Sequence, residues 1–183
     1  MIYICSLAEM PHWVARFRPS HLVSLLSPDA LPPTPPEVAP ENHLKVGVND
    51  IWEPMPGQIL PGDAHIDALI AFGTASGQGS SLLVHCYAGV SRSTAAALIL
   101  LALHDDGREH EAAQLLRREA PHAIPNRRMI EVADRRLGRA GRLVEAVERI
   151  GAPDYLGVAP LTRLPRRLPQ SESAPESGPG SQA

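Results

Sequence analysis

One cysteine of this chain stands at fixed distances from a glycine and an arginine. The segment from position 84 to position 94 is VHCYAGVSRST, in which Cys86 precedes Gly89 and Arg92. The chain has only two cysteines, and Cys5 lies far away in sequence, so neither a disulfide framework nor a Cys-x-x-Cys metal pair is indicated. Reactivity or burial must therefore explain Cys86, and burial alone explains neither the glycine nor the arginine.

The residue types after Cys86 are those that build a binding site for a phosphate-like dianion. In a loop between a strand and a helix, consecutive backbone N–H groups can converge on one point, and the helix adds its positive N-terminal end. Gly89 can adopt a positive φ and lets the backbone approach a ligand closely. Arg92 carries a planar guanidinium that can bind two oxygens of a tetrahedral dianion. These positive groups favour the thiolate form of Cys86, a nucleophile in line with the phosphorus of a bound phosphate.

The other residues of this segment supply backbone donors or support. We name residues 86–91 the cysteine loop. Its predicted phosphate-binding residues are Tyr87, Ala88, Gly89, Val90 and Ser91, together with Arg92. The Ser93 hydroxyl can donate a hydrogen bond to the sulfur, which would ease its departure when a covalent intermediate breaks down. His85 is interpreted as structural, with its imidazole bonded to the loop backbone or to the surroundings of Cys86.

The sequence HCYAGVSRS at positions 85–93 resembles the signature loop of the cysteine-dependent protein tyrosine phosphatase superfamily. It is most similar to the dual-specificity group, in which a serine precedes the arginine, as Ser91 does here. The later segment AIPNR also resembles that group, and this resemblance implies that Asn126 supports the active site. Together with GRAGR at positions 138–142, these motifs resemble small bacterial tyrosine-phosphatase-like proteins, over about residues 1–152.

The resemblance implies an α/β fold of the protein tyrosine phosphatase type, with a central, mostly parallel sheet flanked by helices and the cysteine loop between a strand and a central helix. Apolar periodicity predicts matching elements. Predicted strands cover residues 2–5, 21–26, 44–48 and 81–85. Predicted helices cover residues 63–75, 94–104, 109–119, 126–138 and 142–150, after a first helix that a Ser6-x-x-Glu9 capping box opens towards Arg16. The helix at 94–104 is apolar on nearly every face and is therefore predicted to be central.

The mechanism that the resemblance implies needs an acid to protonate the leaving alcohol, and the superfamily uses an aspartate on a separate loop upstream of the cysteine. Asp50, just after a predicted strand, fits this role, and Glu53 on the same loop is the alternative. The other nearby aspartates lie in a proline-rich loop or on a helix: Asp29, Asp63 and Asp67. No metal or cofactor is required, because Arg92 and the loop N–H groups supply the stabilising charge.

Composition divides the chain into one catalytic domain, residues 1–158, and a flexible, disordered tail, residues 159–183. The hydrophobic fraction of 44% is enough for one core. Six prolines within residues 27–40 predict an extended surface loop inside the domain. The tail is rich in Pro, Ser, Gly and Glu, which cannot repay the entropy of ordering, so Arg163, Arg166 and Arg167 are interpreted as a solubilising linker.

Charge and hydropathy limit the classes of partner. The net charge of −3 gives no overall attraction to nucleic acid or to an anionic membrane. The longest apolar run, at 95–103, is far shorter than the roughly 20 residues of a membrane span, and the N-terminus lacks a basic signal-peptide start. We expect a cytoplasmic protein that binds a phosphorylated protein or a small phosphomonoester, without nucleic acid, membrane or obligate partner. The abundance of Arg, Ala and Pro suggests a bacterial genome.

Two classes of function are compatible with the motif. The first is an enzyme that hydrolyses phosphotyrosine, phosphoserine or phosphothreonine in proteins through a phosphocysteine. The second is a pseudophosphatase that binds phosphate without turnover. The presence of a complete set of catalytic residue types argues against it: Cys86, Arg92, Ser93 and a candidate acid. Within the enzyme class, the loop interior has no Lys or Arg for extra phosphates, which favours phosphoprotein over phosphoinositide. A nucleic-acid phosphatase lacks support.

Two other features have a structural interpretation beside a functional one. Cys5 lies on a predicted core strand and is expected to be buried, with a redox partnership with Cys86 as the alternative. The second feature is a series of arginines: Arg127, Arg128, Arg135, Arg136, Arg139 and Arg142. These could form a basic stripe for an acidic partner, but a solvated helix face with interleaved Glu131 and Asp134 is favoured.

Overall fold

The computed structural model describes residues 1–154 and 159–170. Its strands are β1 (Ile2–Ser6), β2 (His21–Leu26), β3 (His43–Gly47), β4 (Leu82–Cys86) and β5 (Thr162–Leu164). Its helices are α1 (Met10–Phe17), α2 (Asp63–Ala75), α3 (Arg92–Ala102), α4 (Glu109–Glu119), α5 (Arg127–Arg136) and α6 (Arg142–Arg149). Within these residues, no helix combines the length and the hydropathy that crossing a membrane requires.

The sheet places β4, the strand that ends at the cysteine, at its centre. The strand order is β3-β2-β4-β1-β5, and the first four strands are parallel. Every residue of β4 is buried, because helices and loops cover both faces of the sheet. The predicted fold class is confirmed: a mostly parallel central sheet is flanked by helices, and a loop at its carboxyl edge leads into a central helix.

Two hydrophobic clusters lie on opposite faces of the sheet. The smaller one joins α1 and the proline-rich segment to the sheet, and its buried members are Cys5, Met10, Val14, Leu22, Val38 and Leu83. The larger one holds α2 to α6. Residues 27–40 are therefore more than an extended surface loop. They include a single 3₁₀ turn at Pro28–Ala30, and Val38 is buried in the smaller cluster.

Helix α3 is the central helix of the larger cluster, as its apolar sequence predicts. All of its residues are buried, from Arg92 through an alanine- and leucine-rich stretch to Ala102. The small alanine side chains let the helix lie close to the sheet and to its neighbours. The helix begins at Arg92, two residues before the predicted start, so the end of the cysteine loop is also the first turn of the helix.

The first helix starts later than its capping motif indicates. Ser6 Oγ accepts the Glu9 backbone N–H at 3.3 Å, which is one of the two bonds of a capping box. The Glu9 carboxylate accepts the Ser6 hydroxyl at 3.1 Å instead of the Ser6 backbone N–H that the motif predicts. The residues between them form a turn, and α1 begins at Met10. Pro11 fits the first turn of a helix, where its missing N–H has no intrahelical acceptor.

The prediction that residues 159–183 form a disordered tail is wrong for residues 159–170. Strand β5 forms an edge of the sheet and pairs antiparallel with β1, with Ile2 opposite Leu164. Leu164 and Leu168 are buried in the larger cluster. Composition averaged over the whole segment concealed these few apolar residues, which need only a three-residue strand to reach the core. The domain therefore extends past the predicted boundary at 158, and residues 171–183 lie outside the described residues.

The interpretation of the tail arginines as a solubilising linker fails for Arg166. This residue is buried, and its Nη2 donates to the Gly73 carbonyl (3.1 Å), the Ser76 hydroxyl (2.9 Å) and the Gly77 carbonyl (3.0 Å). These acceptors lie at the C-terminal end of α2, where backbone carbonyls lack helical partners. Arg166 thus caps a helix while it anchors the segment that follows β5.

We expect Leu164→Ala to lower the free energy of unfolding by about 2–4 kcal/mol, because it removes a fully buried side chain and leaves a cavity beside β1. Chemical denaturation would measure the change. Arg163→Ala is the matched control on the same strand, since Arg163 is exposed and only approaches the Phe17 ring, at 5.5 Å from its centroid. The control should lose roughly 0.5 kcal/mol. Equal small losses in both variants would show that β5 contributes little to stability.

Candidate active site

The cysteine loop joins the end of β4 to the start of α3, so its backbone lies in front of a helix N-terminus. Cys86 is the last residue of β4 and is buried at the base of the loop. Its sulfur lies 3.1 Å from the Ser93 hydroxyl, in the first turn of α3. The strand and the helix thus hold the thiol and the hydroxyl together.

Gly89 allows the loop to pack against the end of β1. Its φ is +77°, a conformation that strains any residue with a Cβ. A Cβ built there would lie 2.9 Å from the Cys5 carbonyl carbon and 3.1 Å from the Ser6 nitrogen, and backbone atoms cannot give way as a flexible side chain can. Both the dihedral angle and the close approach therefore require glycine. The Leu7 N–H also donates to the Tyr87 carbonyl at 3.1 Å.

Arg92 is buried, and its guanidinium is fixed by the segment that follows β3. Its Nη1 donates to the Val48 carbonyl at 2.9 Å, and its Nε lies 3.8 Å from Asp50 Oδ2. A guanidinium held by a backbone carbonyl keeps a defined orientation, which two-point binding of a dianion requires.

The carboxylate of Asp50 is hydrogen-bonded directly to the cysteine loop. Its Oδ1 accepts the Ser91 hydroxyl at 2.7 Å and the Asn126 side-chain amide at 2.8 Å. The Asp50 side chain is 39% exposed, so it faces solvent above the loop. Both donors use Oδ1, and Oδ2 lies on the side of the Arg92 guanidinium, 3.8 Å from its Nε. Glu53, the alternative acid, is exposed three residues further along the same segment.

Asn126 joins three parts of the site. Its Oδ1 accepts the Met129 N–H at 3.1 Å and caps α5, while its amide donates to Asp50. Its backbone N–H donates to the Ser91 carbonyl at 3.3 Å, and the Ile124 N–H donates to the Val90 carbonyl at 3.0 Å. The segment before α5 therefore supports one side of the cysteine loop.

His85 lies beneath the loop in a buried polar chain. Its Nε2 is 2.6 Å from the Ser24 hydroxyl, which is also 2.8 Å from His43 Nε2. His43 Nδ1 is 2.9 Å from the Thr34 hydroxyl. Burial lowers the pKa of His85 to about 4, although a backbone hydrogen bond with Cys86 acts in the opposite direction. Burial also lowers the pKa of His43 to about 4. Both imidazoles are therefore neutral at neutral pH, and Arg92 supplies the positive side-chain charge of the loop.

The sequence-based interpretation did not include Ser24, His43 and Thr34 in the site. The residues that they contact are distant in sequence, so no local sequence pattern indicates these contacts. The register of the sheet creates it, because Ser24 on β2 lies opposite His85 on β4. The supporting role predicted for His85 therefore reaches further from the loop than the sequence indicates.

Cys5 lies on the other face of the sheet from Cys86. The register places Ser6, not Cys5, opposite Cys86, and Cys5 packs in the smaller cluster while Cys86 belongs to the larger one. Burial raises the pKa of the Cys5 thiol, as do the charges of Glu9 and Cys86. The geometry supports the structural interpretation of Cys5 over a disulfide with Cys86.

The arginines between positions 127 and 142, from α5 to the start of α6, are paired with carboxylates. Arg135 bonds Asp63 (2.5 Å) and Arg136 bonds Asp67 (2.6 Å), both on α2. The other four are Arg127 and Arg128 with Glu131, and Arg139 and Arg142 with Asp106 and Glu109. These pairs argue against a basic stripe that awaits an acidic partner. The interpretation as a solvated helix face holds for the exposed arginines but is wrong for Arg139 and Asp134, which are buried.

We expect Arg92→Lys to lower kcat/KM for a phosphorylated substrate by about 10²- to 10³-fold, because a single ammonium cannot reproduce the two-point contact of a guanidinium. Steady-state kinetics would measure the loss, and isothermal titration with inorganic phosphate would show a parallel loss of affinity. Arg127→Lys, at an exposed arginine outside the loop, is the matched control. A near-normal kcat/KM for Arg92→Lys would remove Arg92 from the anion site.

Comparisons with known proteins agree with this geometry. No family model matches the chain. Over 64 residues, or 34% of this chain, it is 39% identical to mouse dual specificity protein phosphatase 12. The match spans only 19% of that protein, so the chain corresponds to about a fifth of the length of this curated relative.

Solved structures share the fold over most of the chain. Human DUSP28 superposes with a TM-score of 0.55 at 24% identity, covering 80% of this chain and 91% of that one. PTPMT1, solved in complex with PI(5)P, superposes with a TM-score of 0.53 at 17% identity, covering 82% and 95%. The solved structures show that the chain has the fold of these phosphatases, and a segment of 64 residues is similar in sequence to the mouse dual specificity phosphatase.

Proposed function

We propose that this protein is a phosphatase that hydrolyses phosphomonoesters through a phosphocysteine intermediate. One observation carries the proposal: the Asp50 carboxylate, contributed by a separate segment, is hydrogen-bonded to Ser91 of the loop that holds Cys86. A buried structural cysteine would need no such carboxylate, whereas a phosphoryl-transfer site needs both a nucleophile and an acid.

In the first step, the loop N–H groups and Arg92 bind the phosphate dianion above the Cys86 sulfur. The sulfur attacks phosphorus, and the S–P bond forms as the bond from phosphorus to the ester oxygen breaks. Asp50 gives its carboxyl proton to that oxygen, so the alcohol leaves neutral. The fixed donors of the loop and the guanidinium stabilise the charge on the equatorial oxygens.

In the second step, water replaces the leaving alcohol. The Asp50 carboxylate, now ionised, accepts a proton from the water as its oxygen attacks phosphorus. The S–P bond breaks, and the Ser93 hydroxyl, 3.1 Å from the sulfur, stabilises the departing thiolate with a hydrogen bond. Inorganic phosphate is released, and Asp50 is protonated again for the next cycle.

The proposed substrate is a phosphoprotein carrying phosphotyrosine, phosphoserine or phosphothreonine. The cysteine loop contains no Lys or Arg to bind a second phosphate group. The complex of PTPMT1 with PI(5)P makes a phosphoinositide the second candidate substrate, because that protein shares the fold. A pseudophosphatase that binds phosphate without turnover is the third candidate.

The test is a kinetic screen combined with trapping of the intermediate. Wild-type protein is assayed on phosphotyrosyl, phosphoseryl and phosphothreonyl peptides and on a soluble phosphoinositide, and acid quenching follows radiolabelled phosphate into the protein. We expect turnover of a phosphopeptide and label on Cys86, located by peptide mapping. Turnover without label on Cys86 would contradict the phosphocysteine. Phosphate binding without turnover of any substrate would favour the pseudophosphatase.

A further inference from the structure

The exposed apolar side chains of this protein are concentrated around the cysteine loop. The described part of the chain exposes six large apolar side chains: Met1, Trp52, Met55, Ile59, Tyr87 and Ile124. Met1 is at the opposite end of the sheet, where its carbonyl accepts the Leu82 N–H at the start of β4. The other five lie on segments near the end of β4, where Cys86 is. Single exposed apolar residues are common, but a group at one place marks a binding surface.

Hydrogen bonds connect the segments that carry these side chains to the cysteine loop. We define the apolar rim as Trp52, Met55, Tyr87 and Ile124. Tyr87 follows Cys86 directly and is 71% exposed, and the Ile124 N–H bonds the Val90 carbonyl. Trp52, 63% exposed, and Met55 line an open cleft of about 390 Å³ whose other lining residues are Asp50, Ile51, Glu53 and Pro54. The cleft therefore includes the candidate acid and follows the segment after it.

The charges of this surface decide between possible occupants. Residues 50–62, 86–91 and 120–126 contain no Lys or Arg, whereas Asp50 and Glu53 add carboxylates beside the rim. The nearest arginines beyond these segments, Arg127 and Arg128, pair with Glu131, and Arg128 Nε also donates to the Pro61 carbonyl. An anionic lipid surface or an acidic peptide would therefore place negative groups against Asp50 and Glu53 and would meet only cations that already have a carboxylate partner. Apolar side chains of a peptide would instead cover Trp52 and Met55 and remove their surface from water.

We infer that the apolar rim binds the residues flanking the phosphorylated residue, and that the protein selects phosphopeptides with apolar flanks over those with acidic flanks. This inference rests on the proposed function and adds a substrate preference to it. Covering part of a leucine or isoleucine side chain on the rim should improve kcat/KM by about 5- to 20-fold over a neutral polar flank. Acidic flanks should fall below the neutral peptide.

The experiment uses three phosphotyrosyl peptides that differ only on either side of the phosphotyrosine: leucine and isoleucine, serine and glutamine, or aspartate and glutamate. Wild-type kcat/KM should decrease in that order. Trp52→Ala should reduce the preference for the apolar over the neutral peptide to about twofold, and Trp52→Phe, which keeps an aromatic ring, should retain most of it. Equal kcat/KM for the three peptides would overturn the inference while leaving the phosphatase proposal standing.

Binding keeps the inference testable if turnover fails. Cys86→Ser protein is titrated with the same three peptides by fluorescence anisotropy, with inorganic phosphate as competitor. The Kd order should match the kinetic order, and Trp52→Ala in this background should remove it. If the Kd values follow this order but the wild-type protein does not turn over any peptide, the proposed function is contradicted and the inferred peptide preference of the rim is supported. Equal Kd values for the three peptides would contradict the inference that the rim binds the flanking residues. Vesicles of phosphatidylcholine with a phosphatidylinositol phosphate test a membrane as the occupant. If the protein binds these vesicles, loses that binding in Trp52→Ala and does not select among the peptides, the rim binds a membrane and the inference is overturned.

Discussion

Replacing Cys86 by serine should abolish turnover and leave phosphate binding nearly unchanged. The predicted loss in kcat is on the order of 10⁴-fold or more, because a serine hydroxyl at this place has no adjacent base to activate it. Phosphate affinity should persist, since the donors are the loop backbone and Arg92, whose guanidinium is held by the Val48 carbonyl. Steady-state kinetics and isothermal titration with inorganic phosphate measure the two quantities separately.

Cys5→Ser provides the matched control for this prediction. Cys5 is the other cysteine of the chain, and it is buried on the opposite face of the sheet. Its replacement should alter stability more than kcat, because the side chain packs in the smaller cluster. Substantial phosphatase activity in Cys86→Ser, or an equal loss in Cys5→Ser, would disprove the phosphocysteine mechanism.

The cysteine loop could be predicted from sequence because its chemistry is local. Cys86, Gly89 and Arg92 lie within seven consecutive residues, the apolar pattern on either side indicates a strand before them and a helix after them, and the motif resembles a known signature loop. The structure has these elements in that order, and the φ of +77° at Gly89 explains why the glycine is needed. The position of Asp50 just after a predicted strand indicates its place near the loop, because parallel strands bring their carboxyl ends to one edge of the sheet.

The parts that the sequence did not predict depend on tertiary contacts. Ser24 meets His85 only because β2 and β4 pair in one register, and a one-residue shift would separate them. Strand β5 has three residues, too few for a periodic signal, and its stability comes from the edge of β1 and from the burial of Leu164. Composition and periodicity describe a segment by itself, and neither reports a partner that is far away in sequence.

Asp50→Asn should lower kcat by about 10²- to 10⁴-fold on a phosphotyrosyl or phosphoseryl peptide, because these poor leaving groups need a proton. The substitution keeps the shape of the side chain, and an amide oxygen can still accept the Ser91 hydroxyl and the Asn126 amide, so the loop should stay in place. An activated aryl phosphate, whose phenolate leaves without much protonation, should lose far less. The ratio of kcat between the two substrates is therefore the measurement that reports the acid.

Glu53→Gln distinguishes the two carboxylates of this segment. Asp50→Asn and Glu53→Gln each remove one negative charge near the rim. Among the described contacts of these two residues, only the Asp50 carboxylate accepts a hydrogen bond from Ser91. On a peptide with neutral flanks, Glu53→Gln should change kcat by no more than about threefold, with no dependence on the leaving group. If instead Asp50→Asn matches the wild type and Glu53→Gln loses activity, the acid is Glu53. If both retain activity while Cys86→Ser does not, leaving-group protonation comes from outside this segment, because the nucleophile would then act without either carboxylate.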